Sequence, residues 1–205
     1  MRLEAIYPKP KLNGVDHKHR IYPYLLRDVP IVRVDQVWST DITYVPMSQG
    51  FMYLAALIDW HSRYVLAWRL SNTLDSSFCQ EMLDEALSRG RPEVCNSDQG
   101  VQFASEGWTS RLKSAGVAIS MDGKGRCLDN VFVERLWRTV KYEEIYLRRY
   151  EQVPQLEKGL REYFAYDNEK RLHQSLAYRT PAEVYQEGSR SRKDCLDKSK
   201  GNRSK

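Results

Sequence analysis

Asp98 and Glu134, separated by thirty-five residues, stand in contexts that present a carboxylate rather than solvate a surface. Asp98 closes the stretch that begins with the apolar Val94-Cys95 and is followed at once by Gln99-Gly100. It is therefore expected where a buried strand opens into a loop, the end at which open α/β sheets place ligands. Glu134 lies in a stretch whose apolar residues Phe132, Val133, Leu136, Trp137 and Val140 recur at the spacing of one helical face. A third acid, Asp41, is the only charge between Val37 and Pro46, in a run of β-branched and aromatic residues. A carboxylate in a central strand is costly unless it is paired or bound to metal. Three such acids brought together repel one another and raise their own pKa values, and a divalent cation removes that conflict. Oxygen-only ligands favour Mg²⁺ or Mn²⁺. Two such ions about 4 Å apart can activate an attacking oxygen and stabilise a leaving one, which is phosphodiester chemistry.

The residues alone leave a plainer reading open: three unrelated acids, one capping a turn, one paired with an arginine and one solvated. Asp59 is the rival acid, and its place in the turn before Ser62-Arg63 points to a structural role or an ion pair. At about 100° per residue, Asn130, Glu134, Arg138 and Lys141 share an arc of roughly 80° on their helix. Glu134 and Lys141 are seven residues apart, or roughly 10 Å along the axis, so the lysine could hold a phosphate while the glutamate holds a metal. An amphipathic helix with a solvated charged face would show the same pattern.

The elements that must position these acids follow from the rest of the chain. The segment from Trp38 to Pro46 predicts a first strand, the continuous apolar run Phe51 to Ile58 a strand buried on both faces, and Tyr64 to Leu70 a third, together a meander. Asp75 is expected to cap a helix over 76–89 that Gly90 stops. A strand over 93–97, a helix near 105–115, a strand over 117–121 and the Glu134 helix come next. The expected fold class is α/β: a mixed five-stranded sheet, three antiparallel strands then an αβαβα alternation, with helices on both faces. A last helix is expected at about 152–170, and the segment 171–181 breaks the period and reads as an ordered extension or loop. Four regions are expected: a basic, proline-containing arm over 1–30, a core over 31–150, a C-terminal helix and extension over 151–188, and a basic disordered tail over 189–205.

With 205 residues and 41% hydrophobic content, one substantial domain with extensions is the expected organisation. No run approaches the length of a membrane span and no apolar segment follows a basic start, so a cytoplasmic protein without membrane contact is expected. The four cysteines at 79, 95, 127 and 195 fit neither a zinc motif nor a disulfide framework and are read as free thiols. His17 and His19 have no cysteine nearby, and His61 and His173 stand alone in the sequence, so no zinc site is expected. The formal charge of +5 is concentrated in the ends, with +3 over 1–30 and +5 over 189–205, which leaves −3 for 31–188. DNA binding by the core would need local patches rather than net charge.

Several blocks together resemble successive motifs of the OrfB-type transposases of bacterial insertion sequences. They are Trp38-Ser39-Thr40-Asp41-Ile42-Thr43-Tyr44, Ile58-Asp59-Trp60-His61-Ser62-Arg63, Asn96-Ser97-Asp98-Gln99-Gly100-Val101-Gln102-Phe103, and Ser120-Met121-Asp122-Gly123-Lys124-Gly125-Arg126 with Asp129-Asn130, Glu134-Arg135 and Lys141. The thirty-five-residue gap is that family's DDE spacing, and the resemblance continues through His173-Gln174-Ser175-Leu176 and Thr180-Pro181-Ala182-Glu183. It implies a ribonuclease H-like fold shared with retroviral integrases, with Asp41, Asp98 and Glu134 as ligands of two Mg²⁺ or Mn²⁺ ions. It also implies DNA cleavage at element ends and transfer of the 3′-hydroxyl onto target DNA by a homo-oligomer assembled on DNA. Asn130 and Lys141 would support the third acid and the DNA backbone, with Arg138, Lys124 and Arg126 as further DNA contacts. The family's N-terminal helix-turn-helix region, often encoded upstream, has no counterpart among these residues. Sequence-specific recognition of element ends is therefore expected from an upstream helix-turn-helix partner. A fragment that binds DNA or regulates a full-length transposase, and a stand-alone metal-dependent nuclease, are the alternative expectations.

Overall fold

The computed structural model describes residues 21–123 and 130–201, with side chains as far as 191 in the second stretch. Five strands form one sheet in the order β3-β2-β1-β4-β5. They are β1 (Val37–Pro46), β2 (Phe51–Asp59), β3 (Val65–Ser71), β4 (Val94–Ser97) and β5 (Ala118–Met121). β1, β2 and β3 pair antiparallel as the predicted meander, and β4 joins the far side of β1 in parallel, followed by β5. The β1–β2 turn closes with the N–H of Met47 donating to the carbonyl of Gly50, which sits at φ +78, a conformation that costs glycine little.

The apolar run in β2 is explained by the two faces it serves. Ala55 and Leu57 point into a core with Trp38, Leu66, Phe78, Leu83, Trp108 and Leu112. Leu54, Ala56 and Ile58 point the other way, into a core with Val133, Leu136, Trp137, Leu160 and Phe164. Side chains alternate along a strand, so a continuous apolar sequence is what a sheet covered on both faces needs. The first face is covered by α1 (Ser77–Arg89) and α3 (Glu106–Ser114), with the single turn α2 (Val101–Ala104) ahead of α3. The second is covered by α4 (Val131–Val140) and α6 (Val153–Glu169). Between those two, α4 runs on through a π-helical turn, Lys141–Ile145, and the short α5 (Tyr146–Arg148).

The structure departs from the sequence reading at the C-terminus. A 3₁₀ turn, Gln174–Leu176, is followed by α7 (Pro181–Gly201), so residues 189–201, expected to form part of a disordered tail, are helical. The start of α7 is a capping box: the N–H of Glu183 donates to Thr180 Oγ1 at 3.2 Å and the N–H of Thr180 to Glu183 Oε2 at 2.9 Å. The helix is tied to the sheet by Tyr185, which donates to buried Asp35 Oδ1 at 2.9 Å and stacks on Tyr64 with ring centroids 4.9 Å apart. Asp75 does act at the start of α1, accepting from the N–H of Ser77 at 2.9 Å, although Ser76 holds the cap position. Cys79 and Cys95 are buried free thiols, and burial pushes each up to about 12, which leaves them unreactive. Residues 1–20, with His17 and His19, and residues 124–129, with Cys127, lie outside the described residues.

The join between the π-helical turn and α6 depends on one glycine. Tyr150 donates to buried Glu144, which also pairs with Arg148 at 3.1 Å. A Cβ on Gly159 of α6 would stand 1.7 Å from the Tyr150 hydroxyl oxygen. Gly159→Ala must expel that hydroxyl and leave Glu144 short of a donor, a loss that outweighs the gain in helix propensity. A net destabilisation of about 2 kcal/mol is expected from urea unfolding monitored by far-UV circular dichroism.

Candidate active site

Asp41 lies mid-strand in β1, directly across the ladder from Ala56, whose side chain belongs to the α4-covered face. Residues opposite one another in an antiparallel pair share a face, so the pleat turns Asp41 towards α4. There the indole N–H of Trp137 donates to Asp41 Oδ2 at 3.0 Å. Asp98 directly follows β4, which runs parallel beside β1, and its Oδ1 accepts from the N–H of Gly100 at 2.9 Å. Glu134 occupies the first turn of α4, exposed beside the same strand. The start of α4 is fastened to β1 by Asn130, whose Nδ2 donates to the carbonyl oxygen of Thr40 at 3.2 Å. Thr40 is the residue before Asp41, so one hydrogen bond sets the register between the helix carrying the third acid and the strand carrying the first.

The electrostatics report the same convergence. Burial raises the Asp41 carboxyl to about 6; the Ile42 and Trp137 N–H groups pull it down, while the charges of Asp98 and Glu134 push it further up. Asp98 opens to solvent on its outer side, yet the protein packed around its carboxyl raises it as well, offset by the Gly100 N–H. Among the described residues no three His, Cys, Asp or Glu side chains already form a metal cage. The donor set nevertheless suits a hard cation, since carboxylate oxygens are the ligands Mg²⁺ and Mn²⁺ prefer and charge is the quantity in excess around Asp41.

Other predicted site residues are placed as follows. Arg138 is exposed and Lys141 half-buried, and neither side chain has a hydrogen-bond or ion-pair partner among the described residues. Lys124 and Arg126 lie outside the described residues. Asp59 is structural: fully buried, it accepts from the N–H and hydroxyl of Ser62 at 2.7 and 2.6 Å and from the N–H of Asp35 at 2.8 Å. The residue that sequence reasoning missed is Trp137. Its spacing marks it as core, and it is core, but its one polar atom reaches the first acid.

The mixed five-stranded sheet, with one acid on its middle strand, a second just past the neighbouring strand and a third on α4, is the arrangement that comparison with known proteins identifies. The Integrase core domain family matches over residues 32–127 and, by a second model of the same description, over 115–181. The transposase for insertion sequence element IS629 of Shigella sonnei is 34% identical over 154 residues, covering 74% of this chain and 52% of that one. An uncharacterized transposase-like protein of Haemophilus influenzae is 31% identical over 159 residues, covering 77% of this chain and 74% of that one. The HTLV-2 integrase catalytic core domain in complex with magnesium superposes with a TM-score of 0.61 at 18% identity, over 76% of this chain and 99% of that chain, and shows the fold to be that of a ribonuclease H-like integrase core. The chain belongs to the integrase-core family of insertion-sequence transposases. It spans 52% and 57% of the first two curated relatives it matches.

The raised Asp41 carboxyl has a consequence for stability without metal. Because its folded pKa of about 6 exceeds the ordinary aspartate value of 3.8, the folded state holds the proton more tightly, and the resulting stabilisation is present below about pH 4 and lost as pH rises through about 6. Asp98, Asp59 and Asp167 are raised and act in the same direction. Asp41→Asn removes only the Asp41 share. In EDTA its Tm advantage over wild type is expected to grow from near zero at pH 4 to a few degrees at pH 8, as measured by differential scanning calorimetry. A constant or shrinking difference would contradict the assignment.

Proposed function

We propose that this chain is the catalytic core of a DNA transposase that cuts at element ends and joins the freed 3′-hydroxyl to target DNA. Asp41, Asp98 and Glu134 hold two Mg²⁺ or Mn²⁺ ions in this reading. The observation that carries it is the crowding at Asp41, whose carboxyl is raised by burial and by both of the other acids. It is supported by the chain's place among insertion-sequence transposases and by its likeness in fold to an integrase core whose structure was determined with magnesium. Bound ions would supply activation of the attacking oxygen and stabilisation of the leaving one.

The chain's own residues prepare the site. Trp137 fixes one oxygen of Asp41, and Asn130 holds the start of α4 against β1, so Glu134 is carried to the strand on a rigid element. Hydrolysis at the element end and attack by the 3′-hydroxyl are then two in-line displacements run at one set of carboxylates. Lys141 and Arg138, whose side chains have no partner among the described residues, contact flanking backbone phosphates, and the family resemblance adds Lys124 and Arg126 as further DNA contacts. In this reading the reaction is carried out by an oligomer assembled on DNA.

Asp41→Asn, Asp98→Asn and Glu134→Gln are each expected to reduce Mg²⁺-dependent strand cleavage to background while the folded spectrum is kept. Near wild-type cleavage by any of them would refute its role. Asp59→Asn should instead cost stability, about 1–3 kcal/mol, because an amide cannot accept at both oxygens from Asp35 and Ser62. Trp137→Phe keeps the ring packed but removes the donor to Asp41; Mg²⁺ half-saturation of cleavage is expected to rise about 10- to 100-fold. An unchanged metal requirement would reduce Trp137 to a core residue.

A further inference from the structure

One helix face round from the acids, a cleft of about 390 Å³ is bounded by the turn after β2, by α4 and by the segment that follows α6. Arg63, Phe132, Arg135, Thr139, Arg171 and His173 are among the residues that line it. Its acids are Glu143 and Asp167, and both are taken: Arg171 pairs with Asp167 at 3.1 Å and with Glu143. Two cations remain. Neither the Arg63 nor the Arg135 side chain has a hydrogen-bond or ion-pair partner among the described residues. They stand close enough that Arg135, after burial, helps to lower the Arg63 guanidinium to about 10, against the opposing pull of Asp59. Asp59 does not pair with it and is held instead by Ser62 and Asp35.

Arg63 is held in place at some cost. Its backbone adopts φ +65, which non-glycine residues rarely do, and its guanidinium lies over the Phe132 ring, 3.6 Å from the centroid. Across the cleft, His173 Nε2 is buried and without a hydrogen-bond partner. Two guanidinium groups that line one cleft, neither paired with an anion among the described residues, form a site suited to an oxyanion. Arg135 immediately follows Glu134 on α4, so the anion available there is one already at the acids' side, a DNA strand.

We propose that this cleft binds one backbone phosphate of the DNA strand beside the scissile position, held jointly by Arg63 and Arg135. The site rests on the transposase reading and adds to it a clamp outside the carboxylate cluster. The phosphate relieves the repulsion between the two arginines, and the Phe132 ring keeps the Arg63 plane in place for it. Binding of this kind positions a strand and reads no sequence.

The test is a salt titration of duplex DNA binding by the full chain in EDTA, followed by fluorescence anisotropy, for wild type, Arg63→Gln, Arg135→Gln and the double variant. Arg161→Gln, an exposed residue of α6 paired with Glu157 at 2.8 Å, is the control. Because both arginines share one phosphate, each single variant is expected to make the log–log salt slope shallower by about 0.9, and the double variant by little more. The control slope should stay unchanged. An additive loss of about 1.8 in the double variant would mean two separate phosphates and overturn the shared site. Unchanged slopes with a lowered Tm would make the pair a structural stack on Phe132. If wild type binds no duplex, the clamp fails together with the DNA reading. If wild type still cleaves DNA in Mg²⁺ while all slopes are unchanged, the clamp alone is wrong.

Discussion

A carboxylate on the middle strand of a sheet, with two more close enough to raise its proton affinity, is a conflict of like charges in a half-buried setting. The sheet order makes the conflict unavoidable, because β1 lies between its antiparallel partner β2 and the parallel β4, and each delivers something to Asp41. Across the ladder β2 supplies small Ala56, which leaves room on the α4 face. Beside it, β4 ends where Asp98 begins. The helix that closes the third side is locked by Asn130 to the residue before Asp41 and by Trp137 to Asp41 itself. Strain of this sort is kept only where the surrounding structure over-determines it, and here two independent cores do so.

The second core also explains the shape of the C-terminal part. α4 carries Glu134 on one face and Val133, Leu136, Trp137 and Val140 on another, so the apolar stripe that buries the helix aims the acid. Beyond it, the π-helical turn, Tyr150 and Gly159 bring α6 back against β3, where Asn168 bonds both the N–H and the carbonyl of Val65 at 2.9 and 3.0 Å. α6 and the segment after it complete the wall opposite Arg63 and Arg135. In this chain α4 thus borders two sites of opposite charge: the three carboxylates and, in the cleft, Arg63 and Arg135, which have no ion-pair partner among the described residues.

Much of this was legible because the signals were local. The β2 run, the isolated charge of Asp41 and the period around Glu134 each rest on spacings that survive folding unchanged. Asp59 was readable for the same reason, since a carboxylate followed three residues later by a serine is a turn motif, and Ser62 does donate to it twice. What was missed is non-local or bifunctional. Trp137 belongs to the apolar stripe by spacing, and nothing in the sequence says that its N–H meets a residue 96 positions away. The arginine cleft joins residues from three distant segments. The extent of α7 is different: Thr180-Pro181-Ala182-Glu183 is a capping box with proline at the first helical position, a local signal outweighed in the reading by the polar composition that follows.

The central claim is that Asp41, Asp98 and Glu134 form one divalent-cation site. Counting bound Mn²⁺ by electron paramagnetic resonance in wild type and in Asp41→Asn, Asp98→Asn and Glu134→Gln tests it without relying on catalysis. The account predicts saturable binding by wild type that each single substitution weakens by at least about tenfold, since each removes a ligand from the same charge cluster. Wild-type affinity retained in all three variants would show that the acids are neighbours and not a metal centre.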